Sequence, residues 1–230
     1  MKNLASSKLQ LLFIITLTIF FTLIAYFSFH SQENVTEIKR NDTLLFKESQ
    51  LAHHLLDHLK GVEIGASAHN PFGLRTLNID YTSSNMTVFK QMEQTMVGSQ
   101  AKIDIIASAD HLPLANNSQD FVISSHVIEH MFDPIQTILE WFRVVVPSGY
   151  IYIIAPHKER TFDVARNRTT LQELLDRHSG KVPKQDGHGH FNVWITQDFL
   201  ELCQHFNWTV VTYQDVDDKV TNGFAVVLQK

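Results

Sequence analysis

The sequence predicts an α/β domain whose mostly parallel sheet ends in an antiparallel hairpin. Three observations predict it. Short runs rich in Ile, Val and Phe alternate with segments of helical spacing from residue 44 onward. Several of those runs are continuously apolar, as strands covered on both faces must be. The last two are separated by a polar turn containing Asn222-Gly223, a hairpin signal.

The elements follow in order. Leu44 to Leu59 places apolar residues at 44, 45, 51, 55, 56 and 59, which is helical spacing. Val62–Ile64 and Thr76–Ile79 read as strands. Lys102–Ala107, Phe121–Ser124 and Tyr150–Ala155 read as buried strands. Ile135–Val145 is helical, with Ile135, Ile138, Leu139 and Phe142 on one face, and Pro147-Ser-Gly149 is expected to stop it. Thr196–Phe206 reads as a helix entered through an N-cap at Thr196. Trp208–Tyr213 and Phe224–Leu228 are the hairpin strands. Ten residues separate Gly65 from Thr76, too few for a full helical crossover, so a turn is expected there.

Composition narrows the classes. Of 230 residues, 44 % are hydrophobic and 19 % charged, which excludes a disordered chain and a coiled coil. The net charge of −5 gives no basic footprint, so no nucleic-acid partner is expected. The single cysteine, Cys203, excludes an intrachain disulfide and a cysteine-rich zinc module. Its neighbours Phe199, Leu202 and Phe206 at helical spacing place it in the core.

The amino-terminal part has its own signal. Leu9 to Phe29 holds 21 residues without formal charge. As a helix it spans about 31 Å, the thickness of a bilayer core. Tyr26, Phe27, Phe29 and His30 crowd its exit, which favours an uncleaved transmembrane helix over a cleaved signal. Lys2 and Lys8 before it, against Glu33 and Glu37 after it, favour a cytoplasmic amino terminus. Six sequons, at Asn34, Asn41, Asn85, Asn116, Asn167 and Asn207, favour a luminal glycoprotein. The expectation is a single-pass type II membrane protein of the endoplasmic reticulum or Golgi. Its parts are a tail 1–8, an anchor 9–29, a stalk 30–42 and a domain 43–230.

Ligands of an open parallel sheet bind beyond the carboxyl ends of its strands, so those ends carry the functional candidates. They are Glu63-Ile-Gly65-Ala66-Ser67-Ala68, Asp80-Tyr81, Ser108-Ala-Asp110-His111-Leu112-Pro113, Ser124-Ser125-His126 and Pro156-His157-Lys158. Small residues at 65–68 allow a ligand close to the backbone, and an acid after the next strand suits two ribose hydroxyls.

This ordered set resembles a class I S-adenosylmethionine-dependent methyltransferase of the type 11 branch. The most specific stretch runs from Asp110 through Asp120-Phe-Val-Ile to His126-Val-Ile-Glu129-His130. Asp133-Pro134, Glu140-Trp-Phe-Arg143-Val and Pro147-Ser-Gly149 continue it, and Pro156 to Asp163 resembles a subgroup. The resemblance implies a Rossmann-like seven-stranded sheet with S-adenosylmethionine as cofactor. It implies Glu63, Gly65, Ala66 and Ser67 around the methionine part, Asp80 on the ribose, and Tyr81, Asp110, His111 and Leu112 around the adenine. Ser125 and His126 then lie under the sulfonium.

Methyl transfer to oxygen calls for a base near the methyl group. His126 is the first candidate, followed by His157 and Asp163. The expected acceptor is a small molecule or glycan. Two rival readings remain. The loop Gly65-Ala-Ser-Ala68 replaces two or three glycines of the family pattern, which suits a catalytically inactive scaffold. His126-Val-Ile-Glu129-His130 also matches H-x-x-E-H, a zinc-peptidase signature that belongs inside a long helix. It follows a strand here, so no metal ligand is assigned. His188-Gly-His190 reads as a solvated loop or a lid, closed by Trp194. Lys158, Arg160, Arg166 and Arg168 suit an anionic substrate or a solvated face neutralised by nearby acids.

Overall fold

A computed structural model describes residues 46–187 and 189–230. Residues 43–230 form a compact unit. The anchor 9–29 and the stalk 30–42 lie outside the described residues. The expectation of a single-pass type II membrane protein is corrected. No helix among the described residues is long and apolar enough to cross a membrane.

The described elements are α1 (Gln50–Leu56), β1 (Gly61–Ile64), β2 (Thr76–Asp80), α2 (Val88–Val97), β3 (Ile105–Ile106) and β4 (Gln119–Ser125). They continue with α3 (Pro134–Val144), β5 (Val145–Pro156), α4 (Leu171–His178), α5 (Thr196–His205), β6 (Thr209–Gln214) and β7 (Gly223–Gln229). The seven strands form one sheet in the order β3-β2-β1-β4-β5-β7-β6. The pairs from β3 to β5 are parallel, and β7 runs antiparallel between β5 and β6. The chain winds outward in opposite directions from β1 and from β4, so the switch point lies between them.

Alternation along the strands divides the core. Ile151 and Ile153 of β5 face a cluster with Trp141, Phe199 and Leu202. Tyr152 and Ile154 face the other cluster, with Ala52, Leu56, Phe72 and Phe121. Each such apolar side chain contributes about 1.5–3 kcal/mol when fully buried. Cys203 is buried among the first set, and burial pushes its thiol up to about 12.

Several boundaries differ from expectation. Helix α3 ends at Val144 and β5 starts at once, so Pro147-Ser-Gly149 lies inside the strand. Gly149 is needed there because a Cβ would sit 2.5 Å from the Asp120 carbonyl oxygen. Strand β3 keeps only two residues of the six-residue run 102–107. Thr196 is the first residue of α5, not its cap. The Asp198 carboxylate accepts the Ile195 amide instead, while Thr196 Oγ1 donates to Asp215. Helices α2 and α4 escaped the periodicity argument, because each buries few apolar residues; α2 buries Lys90 and Glu93.

Asp217 and Lys219, of the charged run 217–219, are buried. Asp217 accepts the amides of Lys219, Val220 and Gly223, which closes the connection into β7. Lys219 Nζ donates to the Pro71 carbonyl at 2.6 Å and stands 4.6 Å above the Phe72 ring. These bonds fasten the segment after β1 to the hairpin, where a helix would otherwise cover the sheet.

Candidate active site at the carboxyl edge of the sheet

Register puts three candidates in one row. Ile64 pairs with Ile79 of β2 and with Ser124 of β4. Gly65, Asp80 and Ser125 therefore follow side by side past the carboxyl ends of three adjacent parallel strands. Gly65 has φ +69, and a Cβ there would meet Val127 Cγ2 at 2.8 Å, so only glycine fits this turn. The stretch after it, 65–75, forms turns without a helix.

The β1–β2 side is held by α2. Lys90 Nζ donates to Glu93 Oε1 at 2.7 Å and to the Ala66 carbonyl at 3.3 Å, and lies 3.5 Å from Asp80 Oδ2. Glu93 Oε2 accepts the Ala68 and Ala101 amides. Asp80 Oδ1 accepts the Tyr81 amide at 2.7 Å. Burial raises the Asp80 carboxyl above its ordinary range, with Lys90 opposing. Tyr81 is exposed, beside that acid. Ser67 Oγ bonds His69 Nδ1. Glu63, on β1, is buried and accepts from Thr76 Oγ1 at 3.5 Å, and burial pushes its carboxyl up to about 7 against the pull of Lys219.

The β4 side gathers histidines. His126 takes φ 55 directly after Ser125, and its amide donates to the Ile154 carbonyl. Burial pushes its ring down to about 4, with the Asp217 carboxylate opposing, so it is neutral at pH 7. A three-residue 3-10 turn, Ile128–His130, follows. It carries Glu129, which is fully buried with neither carboxylate oxygen hydrogen-bonded. Glu129 Oε1 lies 3.6 Å from His126 Nδ1, 3.7 Å from His130 Nε2 and 4.0 Å from His190 Nε2. Asp163 binds His190 Nδ1 at 2.6 Å and Arg166 at 2.7 Å. Burial raises the Asp163 carboxyl, but those two partners outweigh it and hold it below its ordinary range.

Two readings change here. The long helix that a zinc peptidase needs is absent around 126–130, where a short turn stands instead. His190 is an anchored residue of this cluster, not part of a solvated loop. The only hint in the sequence was the shared presence of H-x-x-E-H and Gly189-His190, some sixty positions apart.

The remaining candidates serve the surroundings. Leu112 is buried, and its amide donates to Glu140 Oε1 at 2.7 Å. Asp110 accepts the Ser108 hydroxyl, and His111 is exposed above it. His157 caps the next turn: its Nδ1 accepts the Glu159 amide, and its ring packs against Phe224. The basic cluster is largely neutralised. Arg160 pairs with Asp215, Arg166 with Asp163 and Arg168 with Asp198. An open cavity of about 450 Å³ lies beside it, between Arg166, Arg168, Arg177 and Phe191.

An α/β sheet with a glycine turn, an acid and a polar row over adjacent strand ends suits a nucleotide cofactor. Comparison narrows it. Residues 60–153 match the family model described as a methyltransferase domain. A methyltransferase structure from Methanosarcina mazei is similar in fold, at 17 % identity over 79 % of this chain and 97 % of that one, with a TM-score of 0.51. One from Thermotoga maritima covers 79 % and 86 % at 15 % identity, with a TM-score of 0.48. No curated protein matches. Over residues 60–153 the chain is thus similar to the methyltransferase-domain family, in keeping with a class I methyltransferase of the type 11 branch, and the cofactor that this similarity implies is S-adenosylmethionine.

The residues present fit that cofactor. Asp80 retains carboxylate lone pairs for a ribose diol beside the Tyr81 and Lys90 bonds. Gly65 lets a ligand approach the backbone. Ser124 Oγ and Ser125 Oγ are buried without hydrogen-bond partners, leaving donors and acceptors at the end of β4.

Proposed function

We propose that this chain transfers the S-adenosylmethionine methyl group to an oxygen of a small molecule or glycan. The observation that carries the reading is the row Gly65, Asp80, Ser125 and His126 over three adjacent strand ends. The cofactor supplies an electrophilic methyl on a sulfonium. The chain's part is alignment and proton handling. The turn at Gly65 with Ala66 and Ser67 holds the methionine part, Asp80 the ribose, and Tyr81, Asp110, His111 and Leu112 the adenine. Held there, the cofactor would supply its methyl to an acceptor oxygen and keep the S–CH₃ electron pair on sulfur. The acceptor proton passes to neutral His126, whose Nε2 is buried without a hydrogen-bond partner.

Calorimetric titration of S-adenosylmethionine and S-adenosylhomocysteine into the full chain tests this. Binding in the micromolar range is expected, weakened at least about tenfold in Asp80→Ala, a loss of about 1.4 kcal/mol. Circular dichroism checks that the variant keeps its fold. A folded wild-type chain that binds neither molecule overturns the enzyme reading. It would favour an inactive scaffold, for which one observation speaks. The Ala66 and Ala68 amides are already bonded to Asn78 and Glu93, which leaves the loop fewer donors for a ligand.

A further inference from the structure

The geometry points to a binding site for a divalent first-row transition-metal ion formed by Glu129, His130 and His190. The three residues offer ligand atoms within 4.8 Å of one another. Two nitrogens and a carboxylate oxygen suit Zn²⁺, Co²⁺, Fe²⁺ or Mn²⁺. Bonds of about 2.1 Å in a tetrahedral site put neighbouring ligand atoms about 3.4 Å apart. Here Glu129 Oε1 lies 3.7 Å from His130 Nε2 and 4.0 Å from His190 Nε2. Closing a few tenths of an ångström would seat an ion. The same separations are too long for hydrogen bonds, so the residues gather without bonding one another through these atoms.

Two further observations single this cluster out. Glu129 is fully buried and both of its oxygens are unbonded, a costly arrangement that a cation relieves. Both histidines are also oriented from behind. His130 Nδ1 contacts the Gly189 carbonyl at 3.1 Å, and His190 Nδ1 contacts Asp163 Oδ2 at 2.6 Å. Each contact places the proton on Nδ1 and turns an Nε2 lone pair towards Glu129. A carboxylate or carbonyl behind the imidazole is the usual support of a metal-binding histidine. Asp163 is itself fixed by Arg166, whose other nitrogen holds the His190 carbonyl. His130, 23 % exposed, leaves the site open on one side.

Three protein ligands leave coordination positions free. These lie past the end of β4, beside His126. An acceptor oxygen bound to the ion would lose its proton more readily, close to His126, whose Nδ1 lies 3.6 Å from Glu129 Oε1. That role rests on the function proposed above; the metal site does not.

The experiment is Co²⁺ and Zn²⁺ titration of the full chain after chelator treatment, read by calorimetry, metal analysis and the Co²⁺ visible spectrum. One ion per chain is expected, with a Co²⁺ spectrum of mixed nitrogen and oxygen ligation. Glu129→Gln and His190→Ala should each weaken binding at least about 100-fold, and Asp163→Asn about tenfold or more. Should a buried variant fail to fold, His130→Gln on the exposed rim carries the same expectation. No uptake by the wild type, or equal uptake by these variants, overturns the site. S-adenosylmethionine titration of the same samples separates the two hypotheses. Cofactor binding without metal uptake rejects this site alone; metal uptake without cofactor binding rejects the methyltransferase reading alone.

Discussion

Glu93 and Glu129 are both buried near the carboxyl edge of the sheet, 2 % and 0 % exposed, and their carboxylates keep different company. Glu93 accepts from the Lys90 ammonium and from two backbone amides, and in doing so ties α2 to the loop after β1. Among the described residues, the Glu129 carboxylate meets histidine ring nitrogens at 3.6–4.0 Å and accepts no hydrogen bond. The difference separates a polar group that builds the fold from one held ready for a ligand. Burial alone does not distinguish them; the bonds made by each oxygen do.

The contrast is open to measurement. In chelator, Glu93→Gln should lower unfolding free energy by about 3 kcal/mol, because it strips a buried ammonium of its nearest acid. Glu129→Gln should cost under about 1 kcal/mol under the same conditions, because no bond is lost and a buried charge is removed. Equal losses in urea unfolding would break the comparison.

Gly65→Val sharpens it on the cofactor side. A β-branched residue at φ +69 is strained, and its Cβ would press on Val127 at 2.8 Å. A loss of about 2 kcal/mol is expected, together with weaker S-adenosylmethionine binding in calorimetry. The smallest effect concerns His157, a buried histidine whose Nδ1 acts as an acceptor. Burial lowers its folded-state pKa below 6.5, with Arg160 adding to the shift. Its contribution is therefore present above pH 6.5 and lost as pH falls through the folded-state value. Wild type should lose stability relative to His157→Asn on going from pH 7 to 5, by under about 1 kcal/mol, in parallel urea titrations.

Much of this architecture was legible in the chain. Strands β1, β4 and β7 fell within a few residues of their apolar runs, because strands covered on both faces must be apolar, while the half-exposed β2 and β6 were legible as short runs rich in β-formers and β5 began five residues early. Helices α3 and α5 were legible because each buries one apolar face at helical spacing. Helix α2 was not, since it docks through Lys90 and Glu93 and leaves Val88 and Phe89 exposed. The candidate cofactor row could be read from position alone: residues that follow adjacent parallel strands must be neighbours. The cluster around Glu129 could not. His126 and His130 read as flanks of a short motif, and His190 lies on a segment without periodicity.

By itself, then, the sequence determined the fold class, most of the strands, and the candidate ligand edge with Gly65, Asp80 and Ser125. Local hydrophobic patterning dictates the first two, and parallel winding dictates the third. Tertiary structure alone decided which polar residues are buried and who meets them. It drew Asp217 and Lys219 into the hairpin closure and made Asp163 the support of His190. It also left the Glu129 carboxylate without a hydrogen bond among the described residues. Those outcomes depend on contacts between residues distant in sequence, and no local periodicity records them.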